Sequence, residues 1–328
     1  MPESPPQEAV VKVENLQTTF HTRIGPVRAV DGVSYAIGKG ETLGIVGESG
    51  CGKSVTAFSL MRLIEPPGEV TGGAVWLGQE NILEASETRM RELRGSRMAI
   101  IFQEPMTAFN PVLTIGYQMD EQISRHLGVS RQESRERAID MLSLVGIPSP
   151  RERYANYPHQ LSGGMRQRAM IAMALSCDPE FLIADEPTTA LDVTIQGQIL
   201  ELIQSLQERL SMAVQFITHD LGVISEISDR VLVMYAGRTC EVAPTEILMS
   251  APRHPYTSAL IRSIPKFGQR VSRLPAIEGS VPSLYELPSG CAFQNRCPNA
   301  GQRCRDSHPP LTEMASGHQV ACFHPVDR

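Results

Sequence analysis

The sequence predicts an α/β fold with a mostly parallel sheet, a helical insert and a small cysteine-rich extension at the carboxyl end. Three observations indicate this class. Short apolar segments alternate with helical patterns over the first 240 residues, helical periodicity dominates residues 104–178, and the tail is rich in cysteine and proline. The composition, 41% hydrophobic and 20% charged, is sufficient to bury a core. The net charge of −6 argues against a broad basic surface, so nucleic acid is not an expected partner.

The elements follow from local periodicity. Alternating apolar and polar residues predict half-buried strands at residues 9–16 and 33–37, and an apolar run predicts a buried strand at residues 41–46. Further predictions are a helix to about residue 63, an amphipathic helix near residues 138–145, a helix near 195–206, short strands at 181–184 and 214–218, and a hairpin at 230–242. The longest apolar run has seven residues, and a membrane-spanning helix needs roughly 20. The amino terminus carries no signal-peptide pattern, so we expect a chain that neither spans a membrane nor is exported.

The first chemical motif lies between a predicted strand and a predicted helix. Its residues are Gly47, Glu48, Ser49, Gly50, Cys51, Gly52, Lys53 and Ser54, followed by Val55, and they match the pattern G-x-x-x-x-G-K-[ST]. The glycines allow backbone N–H groups to surround nucleotide phosphates, and the following helix start favours negative charge. Lys53 is expected to reach the β- and γ-phosphates, and the Ser54 hydroxyl to bind Mg²⁺. We call residues 47–54 the phosphate-binding loop.

A second motif supplies carboxylates at the end of a buried strand. The apolar residues 181–184 lead directly into Asp185 and Glu186. Ligands of α/β sheets bind at the carboxyl ends of strands, so Asp185 is a candidate ligand of Mg²⁺. Glu186 is the candidate general base for an attacking water, a role typically worth about 10²–10⁴ in rate.

A third motif, Leu-Ser-Gly-Gly-Met at residues 161–165, predicts another anion-binding helix start. Ser162 is a good N-cap, and Gly163 and Gly164 clear side chains from the first turn. Here the sequence resembles the ATP-binding cassette (ABC) family, whose signature is LSGGQ, with Met165 in place of the glutamine. The resemblance implies a P-loop NTPase cassette with an antiparallel β subdomain. It also implies that the signature of one cassette faces ATP bound to another.

Further family motifs stand in the expected order. Gln103 matches the Q-loop, which implies contact with Mg²⁺ and water, and residues 189–192 match the D-loop. His219 matches the switch histidine, which contacts the γ-phosphate, so Glu186, His219 and Gln103 are the catalytic candidates. Phe20 is the candidate for stacking on adenine.

The tail contains four of the seven cysteines: Cys291, Cys297, Cys304 and Cys322, here called the cysteine quartet. A local quartet in a chain without export signals indicates a metal site rather than a disulfide scaffold. The succession from residue 250 to residue 325 resembles the C-terminal extension of dipeptide and oligopeptide importer ATPases. Nickel and glutathione importers share much of this tail, so the cargo stays open at this point.

The spacing of the quartet bears on which metal it holds. The intervals contain 5, 6 and 17 residues, whereas zinc sites favour closely spaced C-x₂₋₄-C pairs. Four thiolates at looser spacing suit a [4Fe–4S] cluster, which the resemblance also implies. Zn²⁺ and free or disulfide-prone thiols remain the alternatives.

The resemblance implies an assembly and a domain organisation. Residues 9–262 would form the ATP-binding domain with its helical subdomain at about 104–178, residues 263–328 the extension, and residues 1–8 a disordered start. The expected partners are a second, related ATPase subunit in a heterodimer, two membrane-spanning permease subunits and, indirectly, a periplasmic or extracellular peptide-binding protein. The chain would then be peripheral on the cytoplasmic face of the inner membrane.

The sequence leaves two alternative functions open. One is a soluble ABC ATPase acting on ribosomes or DNA, although such chains carry two cassettes or long coiled coils, and neither pattern is visible here. The other is a redox or iron sensor built on the quartet, which would predict an ATPase activity that changes with the oxidation state of the cluster.

Overall fold

The computed structural model describes residues 9–189, 192–264 and 277–326, which divide into two compact units. Of the described residues, the first unit contains 9–11, 37–41 and those between 84 and 215. The second unit contains 12–36, 42–83 and the described residues from Phe216 onward. The start predicted to be disordered, residues 1–8, lies outside the described residues.

The described residues form twelve β-strands, which vary from two to fourteen residues in length. The strands are β1 (Ala9–Thr22), β2 (Gly25–Gly38), β3 (Thr42–Val46), β4 (Gly68–Leu77), β5 (Glu80–Asn81), β6 (Met98–Ile101), β7 (Phe181–Asp185), β8 (Ala213–Ile217), β9 (Arg230–Tyr235), β10 (Arg238–Pro244), β11 (Thr312–Ala315) and β12 (His318–Val320).

The same residues form twelve α-helices and one 3₁₀ turn at Pro158–Gln160. The helices are α1 (Lys53–Leu60), α2 (Glu87–Ser96), α3 (Pro105–Ala108), α4 (Ile115–Leu127), α5 (Arg131–Leu144), α6 (Pro150–Arg153), α7 (Gly163–Leu175), α8 (Val193–Leu210), α9 (Leu221–Ile227), α10 (Thr245–Ser250), α11 (Pro255–Arg262) and α12 (Gln302–Asp306). None of the described helices combines the length and apolar character that crossing a membrane requires.

In the first unit, β6 and β7 lie side by side in parallel, in register from Met98 opposite Phe181 to Ile101 opposite Ala184. Every residue of β7 is buried, as the apolar run predicts. Between these two strands the described chain forms helices α3 to α7 and no strand, which agrees with the helical insert expected there.

In the second unit, β3 pairs with β9 in parallel, and β9, β10, β12 and β11 continue in this order as antiparallel neighbours. The hairpin predicted at residues 230–242 is confirmed, and Ala236 and Gly237 form its turn with φ values of 47° and 80°. Positive φ at both central residues suits the twist of a two-residue hairpin. The unit also carries a four-stranded sheet in the order β2-β1-β4-β5.

The strands depart from the sequence prediction in several places. Strand β1 continues to Thr22 rather than ending near residue 16, and β2 begins at Gly25 rather than near residue 33. Strands β4, β5 and β6 were not predicted, and the β11–β12 hairpin occurs in a tail expected to be loop-rich. All four residues of β11 are exposed, so the hairpin has almost no apolar alternation. It is held by backbone pairing of β12 with β10, for example Val320 opposite Glu241. Periodicity cannot reveal such a strand.

Candidate nucleotide site and cysteine quartet

The phosphate-binding loop joins the buried strand β3 to helix α1, as its motif predicts. Two of its glycines, Gly47 and Gly52, are required by close backbone approach. A Cβ on Gly47 would lie 2.3 Å from the Met234 carbonyl oxygen, and one on Gly52, at φ 103°, 2.5 Å from that of Ala29. Only glycine combines this φ with this clearance. The loop is therefore packed tightly against its neighbours on one side.

Lys53 lies within the curve of this loop. Its Nζ donates to the carbonyl oxygens of Gly47, at 2.8 Å, and Glu48, at 3.3 Å, and the residue is buried. The ammonium group is thus already held beside the loop backbone that would receive phosphates. Cys51 is also fully buried, and burial raises the pKa of its thiol, so it is not a reactive thiolate. Ser54 and Val55, in the first turn of α1, are half-buried.

The carboxylates occupy the end of β7 in the first unit. Asp185 is 2% exposed as the last residue of the strand. Glu186 follows at φ 46°, and its Oε2 accepts hydrogen bonds from Gln103 Nε2 at 3.0 Å and from Thr189 Oγ1 at 2.9 Å. The structure therefore brings together Gln103 and Glu186, which lie 83 residues apart in the sequence. Two donors fix the orientation of this carboxylate.

The third motif forms the start of helix α7. The Ser162 hydroxyl accepts from the Met165 N–H at 3.3 Å, so the predicted N-cap is present. Ser162 and Gly163 are exposed and Gly164 is half-buried. The side chain of Gln167 donates to the Pro187 carbonyl at 2.5 Å, which ties this helix to the segment after β7. The start of helix α7 therefore exposes Ser162 and Gly163 on the surface of its unit.

The two remaining candidates lie in the second unit. His219 follows β8 and is exposed, next to Asp220, whose side chain caps helix α9. Phe20 lies on β1, half-buried, and its ring packs against the backbone of Gly68, where a Cβ would lie 2.6 Å from Phe20 Cε1. Of the D-loop, residues 190 and 191 lie outside the described part of the chain.

The cysteine quartet lines one small cavity, together with His254 and Phe293 among others. None of the four thiols is in a disulfide, and the Cys291 N–H donates to the Cys304 carbonyl at 2.7 Å. Burial and then the other three thiols raise the pKa of Cys322 to about 11. The sequence prediction that these residues lie together is therefore correct.

The metal prediction itself is not confirmed. Within the described ranges, no group of three or more His, Cys, Asp or Glu side chains is arranged to hold a metal ion. The raised pKa values of Cys291, Cys297 and Cys322 also describe protonated thiols rather than thiolates. Burial is the largest cause of each shift, and a bound cation would oppose it.

One contact of the phosphate-binding loop has no counterpart in the sequence analysis. Arg296, one residue before Cys297, forms an ion pair with Glu48 at 2.7 Å, across 248 residues. Tyr256 also contacts the loop, since its hydroxyl accepts from the Glu48 N–H at 3.0 Å. No local motif identifies either residue, because each acts through a partner far away in the chain.

Comparison with protein families gives two matches. The ABC transporter family model matches residues 30–189, and the model described as oligopeptide/dipeptide transporter, C-terminal region, matches residues 240–304. Together they span the phosphate-binding loop, the signature and part of the quartet.

Similar proteins extend over nearly the whole chain. A probable peptide ABC transporter ATP-binding protein of Sinorhizobium fredii is 53% identical over 98% of this chain and 97% of its own length. The dipeptide transport ATP-binding protein DppD of Escherichia coli is 48% identical over 97% and 98%. Among solved structures, a dimeric post-hydrolysis ATP-binding cassette bound to ADP and Pi has a TM-score of 0.65 at 26% identity, over 72% of this chain and 98% of that one.

Proposed function

This chain belongs to the ABC transporter ATPase family, and from that premise we propose that it powers the import of dipeptides or oligopeptides across the bacterial cytoplasmic membrane. This cargo assignment is supported by the matching C-terminal region and by the names of relatives that align along almost their full length. Importers of nickel, glutathione or other small solutes are the alternative cargo classes. A ribosome- or DNA-directed ATPase has less support, since these relatives are named for transport.

In the proposed ATP site, each candidate residue has a separate role. The phosphate-binding loop and Lys53 receive the phosphates, and Phe20 stacks on adenine. The Ser54 hydroxyl, Asp185 and Gln103 are oxygen donors of the type Mg²⁺ prefers, and Mg²⁺ when bound supplies positive charge beside the phosphates. His219 contacts the γ-phosphate.

The observation that carries the hydrolytic role is the double hydrogen bond to Glu186. Gln103 and Thr189 both donate to its Oε2, so two hydrogen bonds hold the carboxylate that would accept a proton from water. A carboxylate held in one orientation at the end of a buried strand is suited to act as a general base. The family resemblance supplies the role, and this geometry supports it.

Replacing this base tests the proposal. We expect Glu186→Gln to bind ATP with near wild-type affinity and to lose about 10²–10⁴-fold in turnover, because the amide cannot accept the proton. Single-turnover hydrolysis and nucleotide binding are to be measured on the same preparation. Glu201→Gln is the matched control, since Glu201 is an exposed residue of helix α8. Near-normal turnover by Glu186→Gln would refute the assignment.

The exposed start of helix α7 supports a two-chain active unit. Ser162 and Gly163 face solvent within their unit, where a second cassette can reach them. The helix of 13 residues places its positive dipole end at this point. In the proposed assembly, Ser162, Gly163 and Gly164 complete the ATP site of a related partner subunit, and the partner's signature completes this one. Two of the similar solved structures are themselves dimeric cassettes.

The helical segment between β6 and β7 is the proposed binding surface for the two permease subunits. Large apolar side chains are exposed there, including Met106 at 45%, Val112 at 74% and Tyr117 at 54%. Exposed apolar clusters commonly mark protein contacts. Docking through them would hold the chain at the cytoplasmic face of the inner membrane, and a peptide-binding protein outside the cell would act through the permease.

The proposed occupant of the cysteine quartet is a [4Fe–4S] cluster. Four thiols lining one cavity match its ligand number. Iron and acid-labile sulfide analysis after anaerobic purification is the test, with Cys177→Ala as a control outside the quartet. Stoichiometric zinc without sulfide would establish the alternative, and neither metal would establish free thiols.

A further inference from the structure

The C-terminal extension contacts the phosphate-binding loop through one buried arginine. Arg296 lies between two members of the quartet in sequence, and its side chain is 4% exposed. Its Nη1 and Nη2 donate to separate oxygens of Glu48, at 2.7 and 3.0 Å. This is the two-pronged geometry in which arginine binds a carboxylate most strongly. Glu48 is the second residue of the loop.

The arginine is fixed from the side of the extension as well. Its Nε donates to the Glu278 carbonyl at 2.9 Å, and Nη2 also donates to that of Ile277 at 3.3 Å. The guanidinium lies 5.8 Å from the ring centroid of Tyr235 and 5.9 Å from that of Phe293. The carboxylate contact, followed by weaker ones, raises the pKa of Arg296 further, so it stays charged at all physiological pH.

A second tie holds the same loop residue through its backbone. The Glu48 N–H donates to the hydroxyl of Tyr256 at 3.0 Å, and Tyr256 is fully buried. The Tyr256 ring packs against Tyr235 at 4.7 Å and against Phe293 at 5.3 Å between ring centroids. Phe293 lies two residues after Cys291 in the extension. Loop, core aromatics and cysteine segment therefore form one packed cluster.

The negative charge of Glu48 gives this contact a consequence for phosphate binding. The loop binds anionic phosphates, and a carboxylate on it would repel them unless it is neutralised. Arg296 is the cation that pairs with both of its oxygens. Because Glu48 is 30% exposed, water screens an unpaired charge only in part.

We propose that Arg296 is a positioning residue of the ATP site, which neutralises Glu48 and holds the phosphate-binding loop so that nucleotide affinity depends on the C-terminal extension. The inference rests on the proposed use of this loop for ATP. Coupling between two sites is reciprocal, so ATP should in turn order residues around Arg296.

The test measures ATP affinity in the full chain. We expect Arg296→Ala to raise the Kd for ATP by about 5- to 150-fold, the usual range of coupling between sites. Arg296→Lys keeps the positive charge but loses the bidentate contact, so its Kd for ATP should lie between those of the wild type and Arg296→Ala. Turnover at saturating ATP should change by less than about two-fold, because Arg296 touches no reacting group. Arg303→Ala is the matched control, an extension arginine beside Cys304 that packs over Phe323 at 4.1 Å.

A second substitution separates charge neutralisation from general loss of structure. Adding Glu48→Gln to Arg296→Ala removes the unpaired carboxylate and should recover most of the lost affinity. Hydrogen exchange of residues 290–300 should slow when ATP binds wild-type protein and not when it binds Arg296→Ala. The folding of each variant is checked by circular dichroism, and Arg296→Lys with the double variant carries the test if Arg296→Ala does not fold.

Three results would overturn the inference. The first is an unchanged Kd for ATP in Arg296→Ala, and the second is a loss of affinity that Glu48→Gln leaves unrepaired. Failure of the wild-type chain to bind ATP at all would instead refute the proposed nucleotide site. An equal loss in Arg303→Ala would also overturn the inference, because the effect would then belong to the extension generally.

Discussion

Strand β7 and the C-terminal extension both hold polar groups in defined places, by different means. All five residues of β7 are buried, and Asp185 is positioned by a strand paired in regular register with β6. The extension has little regular structure, since α12 contains five residues and β11 is wholly exposed. Its order depends instead on a few buried polar contacts made by long-range partners.

Glu241 is the centre of the most buried of these contacts. It is 0% exposed on β10, and its carboxylate accepts from His318 Nε2 at 2.7 Å and from the backbone N–H groups of Arg253 and His254 at 2.7 and 2.9 Å. One side chain therefore joins β10, β12 and the segment before α11. The difference between the two regions implies that single polar substitutions will damage the extension more than the strand-based part of the chain.

The largest expected effect is the loss of this carboxylate. Glu241→Ala leaves buried donors without their acceptor, so the free energy of unfolding should fall by about 3–5 kcal/mol. Urea unfolding monitored by circular dichroism measures it. The control is Glu180→Ala, which removes the bidentate pair with Arg97 in the first unit. Glu180 is half exposed, so this pair should be worth about 0–1 kcal/mol. Similar losses in both variants would contradict the comparison.

The same two regions differ in how far sequence alone could locate their residues. Lys53 begins helix α1, Asp185 ends strand β7 and Ser162 caps helix α7. Sequence alone could predict these local positions because each motif requires a strand end or a helix start next to it in the chain. The pairs Arg296–Glu48 and Glu241–His318 span 248 and 77 residues, and no local pattern records them. The four cysteines were predictable as one group because they are close together in the sequence. The contact of the neighbouring Arg296 with the phosphate-binding loop was not predictable.

The next effect in size concerns pH. Burial lowers the pKa of His254 to about 3 and that of His308 to about 4, against about 6.5 in the unfolded chain. Because the unfolded state binds the protons, the stabilisation is complete above pH 6.5 and decreases as pH falls toward 4. Between pH 7 and pH 5 the free energy of unfolding should fall by about 2–3 kcal/mol, because fully buried His254 contributes about 2 kcal/mol and water screens the contribution of half-buried His308.

Urea unfolding at several pH values measures how the free energy of unfolding depends on pH. His308→Gln should reduce this dependence, because it removes one of the two imidazoles. His21→Gln is the control, since the His21 side chain is 56% exposed. A stability profile that stays flat between pH 7 and pH 5 would show that these imidazoles remain hydrated in the folded chain.

The smallest effect compares one glycine from each region. Gly197 is exposed inside helix α8, and an added Cβ would meet nothing within 4 Å, so Gly197→Ala should raise the free energy of unfolding by up to about 1 kcal/mol. Gly290 is buried beside the quartet, and its Cβ would lie 2.1 Å from the Cys304 carbonyl oxygen, so Gly290→Ala should lower it by about 1–3 kcal/mol. Thermal unfolding of both variants decides the sign of each change. Opposite signs are expected. In helix α8, alanine loses less backbone entropy on folding than glycine does, so the substitution stabilises the folded state. In the extension, the absence of a side chain on Gly290 allows two cysteine segments to make backbone contact. If Gly290→Ala unfolded like the wild type, the close approach of Gly290 to the Cys304 carbonyl oxygen would not be needed for the stability of the extension.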